Sequence, residues 1–243
     1  MSTIRPPEAS LISQESHAQF SKVDPITGCT YYLYPNVKLG KNAIIYQNVI
    51  LGFPPRGKKI GELALVIGDN AVIRPFTTIY AGNIIGDEFQ TGHCVTIREG
   101  NQIGNRVTIG TNAVLECNNK FGDDITFHTL SCAGNATIES NAFVGPHVIM
   151  LDDPHPICPR YKECKGGPIV KSYARIGGNV TLLPGVVVGR DCLIGGGSTV
   201  TRDIPDHAVA AGNPARVLGT VQDQKCYPGF YEKPYDWLNG ANL

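Results

Sequence analysis

No excess of charge of either sign marks this chain. Its 243 residues carry 21 Lys plus Arg against 21 Asp plus Glu, a formal net charge of zero. The electrostatic footprint of a nucleic-acid or anionic-membrane ligand is therefore missing. Long apolar runs are absent as well: nothing approaches the roughly 18 residues that a membrane span needs. The first 30 residues hold no apolar core of a secretion signal. These absences predict a cytoplasmic protein that binds a small molecule, with neither nucleic acid nor membrane as partner.

What is plentiful is glycine, 28 residues, and proline, 17. Without a period such a composition suggests disorder, but here there is a period. Every sixth residue from Ile67 reads Ile67, Ile73, Ile79, Ile85, Thr91, Ile97, Ile103, Ile109, Leu115, Phe121, Phe127, Ala133, and all but Thr91 are apolar. Glycine often comes next, as at Gly68, Gly86, Gly92, Gly104, Gly110, Gly122 and Gly134. The fourth residue after the column is mostly small or β-branched, as at Ala71, Thr77, Val95, Val107 and Ala113. A period of six fits neither an amphipathic helix nor an alternating strand. It fits a short strand plus a corner, three to a triangular coil, with the aliphatic column pointing inward and stacking coil on coil. Glycine and asparagine are expected at the corners because they enter positive φ cheaply. The register slips by one residue between Ala133 and Ile138, resumes through Val144 and Met150, and returns from Ile176 to Val200. The fold expected is all-β, a parallel β-helix.

The chain divides accordingly. Residues 1–36 form an N-terminal arm, with a short helix expected around Leu11 to Phe20. Residues 37–219 form the β-helix domain, interrupted by loop insertions at 53–66 and 152–173. Residues 220–243 form an aromatic tail expected to pack on the outside. A loop of about twenty residues inside a compact repeat is uncommon and is usually functional. The second insertion reads Asp152-Asp153-Pro154-His155-Pro156 and onward to Tyr173. A loop histidine, with an unperturbed pKa of about 6.5, is largely neutral at pH 7 and suits a general base. His155 stands beside Asp152 and Asp153, either of which could hold its tautomer. His128, directly after column residue Phe127, is the rival base.

The hexads, the loop after Val144-Gly145-Pro146, and the closing Asp203-Ile-Pro with Ala211-Gly-Asn-Pro-Ala-Arg-Val217 resemble the hexapeptide-repeat acyltransferases over residues 37 to 219. That resemblance implies a left-handed parallel β-helix, a homotrimer with the active site between subunits, and acetyl-CoA as co-substrate. Gly145 to Pro156 looks like the maltose and galactoside acetyltransferase segment whose Gly-His-Pro carries the catalytic histidine, which points to His155. Arg74 to Gly82, Gln90 to Glu99 and the first insertion look more like acetyltransferases of amino-sugar nucleotides. Arg74, His93, Arg98 and Glu99 are the acceptor-binding residues this implies. Gly195, Gly212, Asn213, Pro214 and Arg216 are the coenzyme-binding residues, with Arg216 for the 3′-phosphate. Asp152-Asp153 stands where those enzymes tend to carry Asn-Asp, which leaves the acceptor open.

The function expected is acetyl transfer to an amino group of a nucleotide-linked sugar, or alternatively to a hydroxyl of a small sugar. Two readings of another class compete: a non-catalytic repeat scaffold, and a γ-type carbonic anhydrase with zinc on three histidines. His93, His128 and His147 sit two, one and three places after their column residues, out of phase for the latter. Cys158, Cys164 and Cys226 occupy no hexad position, and a shared cluster, metal-bound or simply pinning loop to tail, is the expectation they raise.

Overall fold

Among the described residues three sheets of ten, ten and eight strands, parallel except for one antiparallel pair at an end of each ten-stranded sheet, close a triangular prism. The structure, a computed structural model, describes residues 19–235 apart from Lys165. The helix expected around Leu11 to Phe20 lies almost wholly outside the described residues. Most strands are only two residues long, and each pairs with the strand one coil away. Thr96 pairs with Val114, and Val114 with Cys132, 18 residues apart, which is three hexads. The slip after Ala133 shortens one coil, so that Cys132 pairs with Ile149. The two insertions lengthen theirs: Ile50 pairs with Thr78, and Ile149 with Thr181. This is the all-β parallel β-helix predicted from the hexads, consistent with the left-handed coil of the resemblance. The parallel ladder already includes Thr30–Leu33, seven residues before the expected start at Val37. An antiparallel hairpin, Ala208–Gly212 with Ala215–Thr220, closes the far end.

The whole column from Ile67 to Ala133 is buried, including Thr91. The Thr91 hydroxyl accepts a hydrogen bond from the Arg74 amide at 3.0 Å and lies 3.4 Å from the Thr77 hydroxyl, so its polarity is satisfied inside the prism. A second polar ladder occupies the other inward position at one edge. Asn83, Asn101 and Asn119 are fully buried and stacked a coil apart. The Asn83 side-chain oxygen accepts from the Asn101 amide, and that of Asn101 from the Asn119 amide. The Asn119 amide group donates to the Glu116 and Ala133 carbonyls, and its oxygen accepts from the Ala136 amide. A buried polar row is tolerable because each group has a partner.

The glycines have a different cause from the one expected. Positive φ falls three places after the column, at Asn70 (60°), Asn112 (57°), even Phe76 (64°) and Leu130 (61°), not at the glycine one place after it. That glycine is required by contact. A Cβ on Gly104 would lie 2.6 Å from the Gly122 carbonyl oxygen, closer than side-chain carbons come. Coils stack too tightly there for any side chain.

Candidate active site

The chain runs from the first sheet (the strands Thr96–Ile97, Val114–Leu115 and their neighbours) to the second (Gln102–Ile103, Lys120–Phe121) and the third (Thr108–Ile109, Thr126–Phe127). Both insertions leave at the same edge, between first and second sheets, one after Ile50–Phe53 and the other after Ile149–Met150. Five strand steps separate them, about 24 Å at the usual spacing between strands. The edge carries a continuous row. Phe20, Tyr34, Phe53 and Tyr80 stack with ring centroids 4.4, 5.7 and 5.4 Å apart. Arg98, Glu116, Gly134 and Leu151 follow in successive coils. Arg98 bridges Glu99 at 3.0 Å and Glu116 at 3.2 Å. The Cys117 thiol donates to Glu99 at 3.3 Å, and burial first, then this bond, pushes it up to about 11. Burial raises the Glu99 carboxyl, but its own backbone amide, Cys117 and Arg98 more than offset this and hold it below the ordinary value.

Gly134, next in this row, is buried. A Cβ built there would lie 3.0 Å from Asp152 Oδ2 and 3.3 Å from Glu116 Cβ. Asn135 donates to Asp152 Oδ2, which anchors the first residue of the loop. His155 is exposed. Its amide donates to Asp153 Oδ1 at 2.9 Å, and its carbonyl accepts from the Cys158 amide at 3.0 Å. Among the described residues neither Asp152 nor Asp153 bonds to the imidazole, so the expected hold on its tautomer is replaced by a hold on its backbone. The edge therefore gathers His155, Asp152, Asp153, Arg98 and Glu99, and adds Glu116, Cys117, Gly134 and Asn135, which were not anticipated. Their signal is a separation of about one coil, 18 residues: Arg98 and Glu116, Glu99 and Cys117.

The remaining candidates lie on a different edge, between third and first sheets. Arg74 is tied to the next coil, its guanidinium donating to the Thr91 carbonyl at 2.7 Å. His93, His128 and His147 are exposed along this edge, His128 with its ring 6.2 Å from Phe143. Gly195 and Gly212 meet here through buried Ser198, whose hydroxyl donates to the Gly195 carbonyl and accepts from the Gly212 amide at 3.1 Å. Asn213, Pro214 and Arg216 are exposed on the adjoining hairpin, and the Arg216 guanidinium donates to the Ala215 carbonyl at 2.9 Å. Within one chain His128 and His155 do not share a site, because the width of the first sheet separates them.

The cysteine cluster is not formed. Cys158 and Cys164 line a shallow depression with Arg160 and Glu163 beside the short helix Tyr161–Cys164. Cys226 lines another with Leu193 on the third sheet. Among the described residues no three His, Cys, Asp or Glu side chains are placed to share a metal ion. The loop leaves from one edge while the tail lies on the opposite face, and nothing in the spacing of the cysteines reveals this.

Residues 167–202 match the family model described as bacterial transferase hexapeptide (six repeats). Over that stretch the chain is similar to the repeats of the bacterial hexapeptide transferases. It is 51% identical over 59 residues to the dTDP-3-amino-3,6-dideoxy-alpha-D-galactopyranose 3-N-acetyltransferase of Aneurinibacillus thermoaerophilus, covering 24% of this chain and 31% of that one. It is 34% identical over 100 residues to a candidate acetyltransferase of Saccharomyces cerevisiae, covering 40% and 51%. The matches thus span between about a third and a half of these relatives' length. Among solved structures, the UDP-N-acetylglucosamine acyltransferase of Francisella novicida superposes with a TM-score of 0.65 over 79% of this chain and 69% of that one, at 17% identity. This likeness is one of fold. No helix among the described residues is long and apolar enough to cross a membrane.

Proposed function

We propose that this hexapeptide-repeat protein is an acetyltransferase that moves an acetyl group from acetyl-CoA to the amino group of a nucleotide-linked sugar, with His155 as general base. The observation that carries the reading is an exposed histidine on a long loop whose first residue, Asp152, is anchored by Asn135. The Aneurinibacillus relative, a 3-N-acetyltransferase of such a sugar, supports the substrate class. The coenzyme supplies a thioester whose carbonyl carbon accepts the amine and whose sulfur leaves as the thiol, taking from His155 the proton that the amine gave up. His155 takes the proton that the nitrogen loses as the new C–N bond forms. Glu116 and Asp152, on either side of Gly134, hold the incoming amine beside the imidazole.

The residues of the third–first edge fit the coenzyme. Gly196 and Gly197 leave the backbone exposed there, and the exposed Arg216 fork suits a phosphate. Since this edge and the histidine loop are separated in one chain, a complete site needs the coenzyme edge of one copy beside the loop edge of the next. A closed three-fold ring with the first sheets facing its axis supplies that arrangement. Light scattering is expected to give three times the 26.1 kDa chain mass.

The test is thiol release from acetyl-CoA, measured with a panel of nucleotide-linked amino sugars, the matching hydroxyl sugars and free amino sugars. Release with the nucleotide-linked amines is expected. Release with hydroxyl acceptors alone, or with none, overturns the reading.

A further inference from the structure

The most enclosed chemistry outside the edges lies under the C-terminal segment, on the outer face of the third sheet. Two rows of side chains meet there. Phe143, Arg175 and Leu193 stand in register on successive strands. Asp124, Asn141 and Tyr173 follow one another along the adjoining corner, each at positive φ. Tyr235 folds back over this face and lays its ring on the Arg175 guanidinium, 3.6 Å from the centroid. These residues enclose a cavity of about 440 Å³ that also reaches Ile176 and Gly177.

The charges inside are already neutralised. Arg175 pairs with Asp191 at 2.7 Å, and Asp124 with Arg106 at 2.7 Å. The rest of the lining is aromatic, Phe143, Tyr173 and the Tyr235 ring that covers Arg175, together with the exposed amide of Asn141. A flat ring with polar edges satisfies both, since aromatic faces stack it and an amide fixes its orientation. One charge at the rim is not neutralised. Arg190 is exposed; its amide donates to Asp206 Oδ1 at 2.8 Å, while its guanidinium forms no ion pair among the described residues and sits 5.3 Å above the Tyr173 ring.

We propose that this cavity is a nucleotide site, in which the base stacks among Phe143, Tyr173 and Tyr235 and a phosphate reaches Arg190. The site is on a different face from His155 and does not depend on the catalytic reading. The same chemistry is offered by the adenosine end of coenzyme A and by the nucleoside diphosphate of a sugar acceptor.

Calorimetric titration of the full chain separates the two sources. The probes are coenzyme A, UDP, dTDP and GDP, with phosphopantetheine as the form that lacks a base. Phe143→Ala and Tyr235→Ala remove exposed or half-exposed rings, so the coils stay intact, and circular dichroism checks this. One stacked ring is worth about 1–3 kcal/mol, so each variant is expected to weaken a base-bearing probe by about 5- to 150-fold. Phosphopantetheine binding should not change. Arg190→Ala should weaken UDP, dTDP and GDP, and spare uridine, thymidine and guanosine titrated beside them. Losses confined to coenzyme A assign the site to the cofactor, and losses confined to UDP, dTDP or GDP assign it to the acceptor. Unchanged binding of every base-bearing probe in both ring variants, or an equal loss for phosphopantetheine, overturns the proposal. Failure of acetyl transfer with intact nucleotide binding would count against the catalytic reading alone.

Discussion

The two working edges of the prism are built from the same hexads but finished differently. The first–second edge is polar and crowded. It has a buried asparagine ladder beneath it, a bridge of Arg98 to two glutamates above, and both long loops leaving from it. The third–first edge has glycines at Gly92, Gly110, Gly145, Gly177 and Gly195, exposed histidines and no insertion. A repeat sets the inside of the prism, where every coil must match its neighbours. It leaves the outside free, so the two edges could diverge into a loop that carries a base and a flat track for an elongated ligand.

The largest test of this division is catalytic. His155→Ala is expected to lower kcat by about 10²–10⁴-fold, the usual worth of a general base, with little change in coenzyme affinity. His128→Ala, on the other edge, should leave kcat within a few-fold and act on coenzyme affinity instead. Steady-state kinetics with both substrates varied decides it. A dead His128→Ala beside a near-normal His155→Ala would exchange the roles of the edges.

Stability should differ between the edges too. Asn119 satisfies four groups with its side chain: the Asn101 oxygen, the Glu116 and Ala133 carbonyls and the Ala136 amide. Ser131, inside the third–first edge, satisfies two, the Gly145 carbonyl and the Val148 amide. Each buried group left unpaired costs about 1–3 kcal/mol. Asn119→Ala should therefore lower the urea midpoint more than Ser131→Ala. Equal losses would mean that the ladder adds nothing beyond a single bond.

The glycines sharpen the point. At Gly110 a Cβ would lie 2.5 Å from the His128 carbonyl carbon, whereas at Gly134 the nearest atom is the Asp152 carboxylate oxygen at 3.0 Å. Backbone cannot yield and a side chain can. Gly110→Ala should cost about 1–3 kcal/mol, as overpacking does, with KM unaffected per folded molecule. Gly134→Ala should melt near the parent and raise the KM for the acceptor. A destabilised Gly134→Ala with normal KM would make that position packing only.

How far these edges could be read from the sequence follows from the period. The column from Ile67 to Ala133 is legible because inward residues repeat every six, and every one is buried. The purpose of Gly104 is not, since tight stacking and positive φ both select glycine, and only the coil-to-coil distance separates them. Which edge a residue occupies repeats every 18, not every six. Read at that longer period, His93 and His128 fall on one edge and Arg98, Glu116 and Gly134 on another, so the split was present but unread. The meeting of Tyr235 with Arg175 follows no period. It depends on where an aperiodic segment folds back, as does the separation of Cys226 from Cys158 and Cys164.

The smallest expected effect concerns acid. Of the two working edges, the first–second one carries the bridge of Arg98 to Glu99 and Glu116, so acid should act on its stability. Glu99 is held below its ordinary value by its own amide, Cys117 and Arg98, against the effect of burial. A carboxyl depressed in the folded state adds stability that is complete above its unfolded pKa, about 4.3, and is lost as pH drops through the lower folded value. Glu99 is partly exposed and its bridge to Arg98 lies near the surface, where such pairs are worth about 0.2–1 kcal/mol. Glu99→Gln should therefore cost up to about that much at neutral pH. The gap between parent and variant should stay constant down to about pH 5 and close below about pH 4, as the parent's carboxyl takes up its proton. Urea denaturation at stepped pH measures the gap. If it persists unchanged at pH 3, the charge on Glu99 is not what steadies the edge, and the fit of the side chain against Cys117 is.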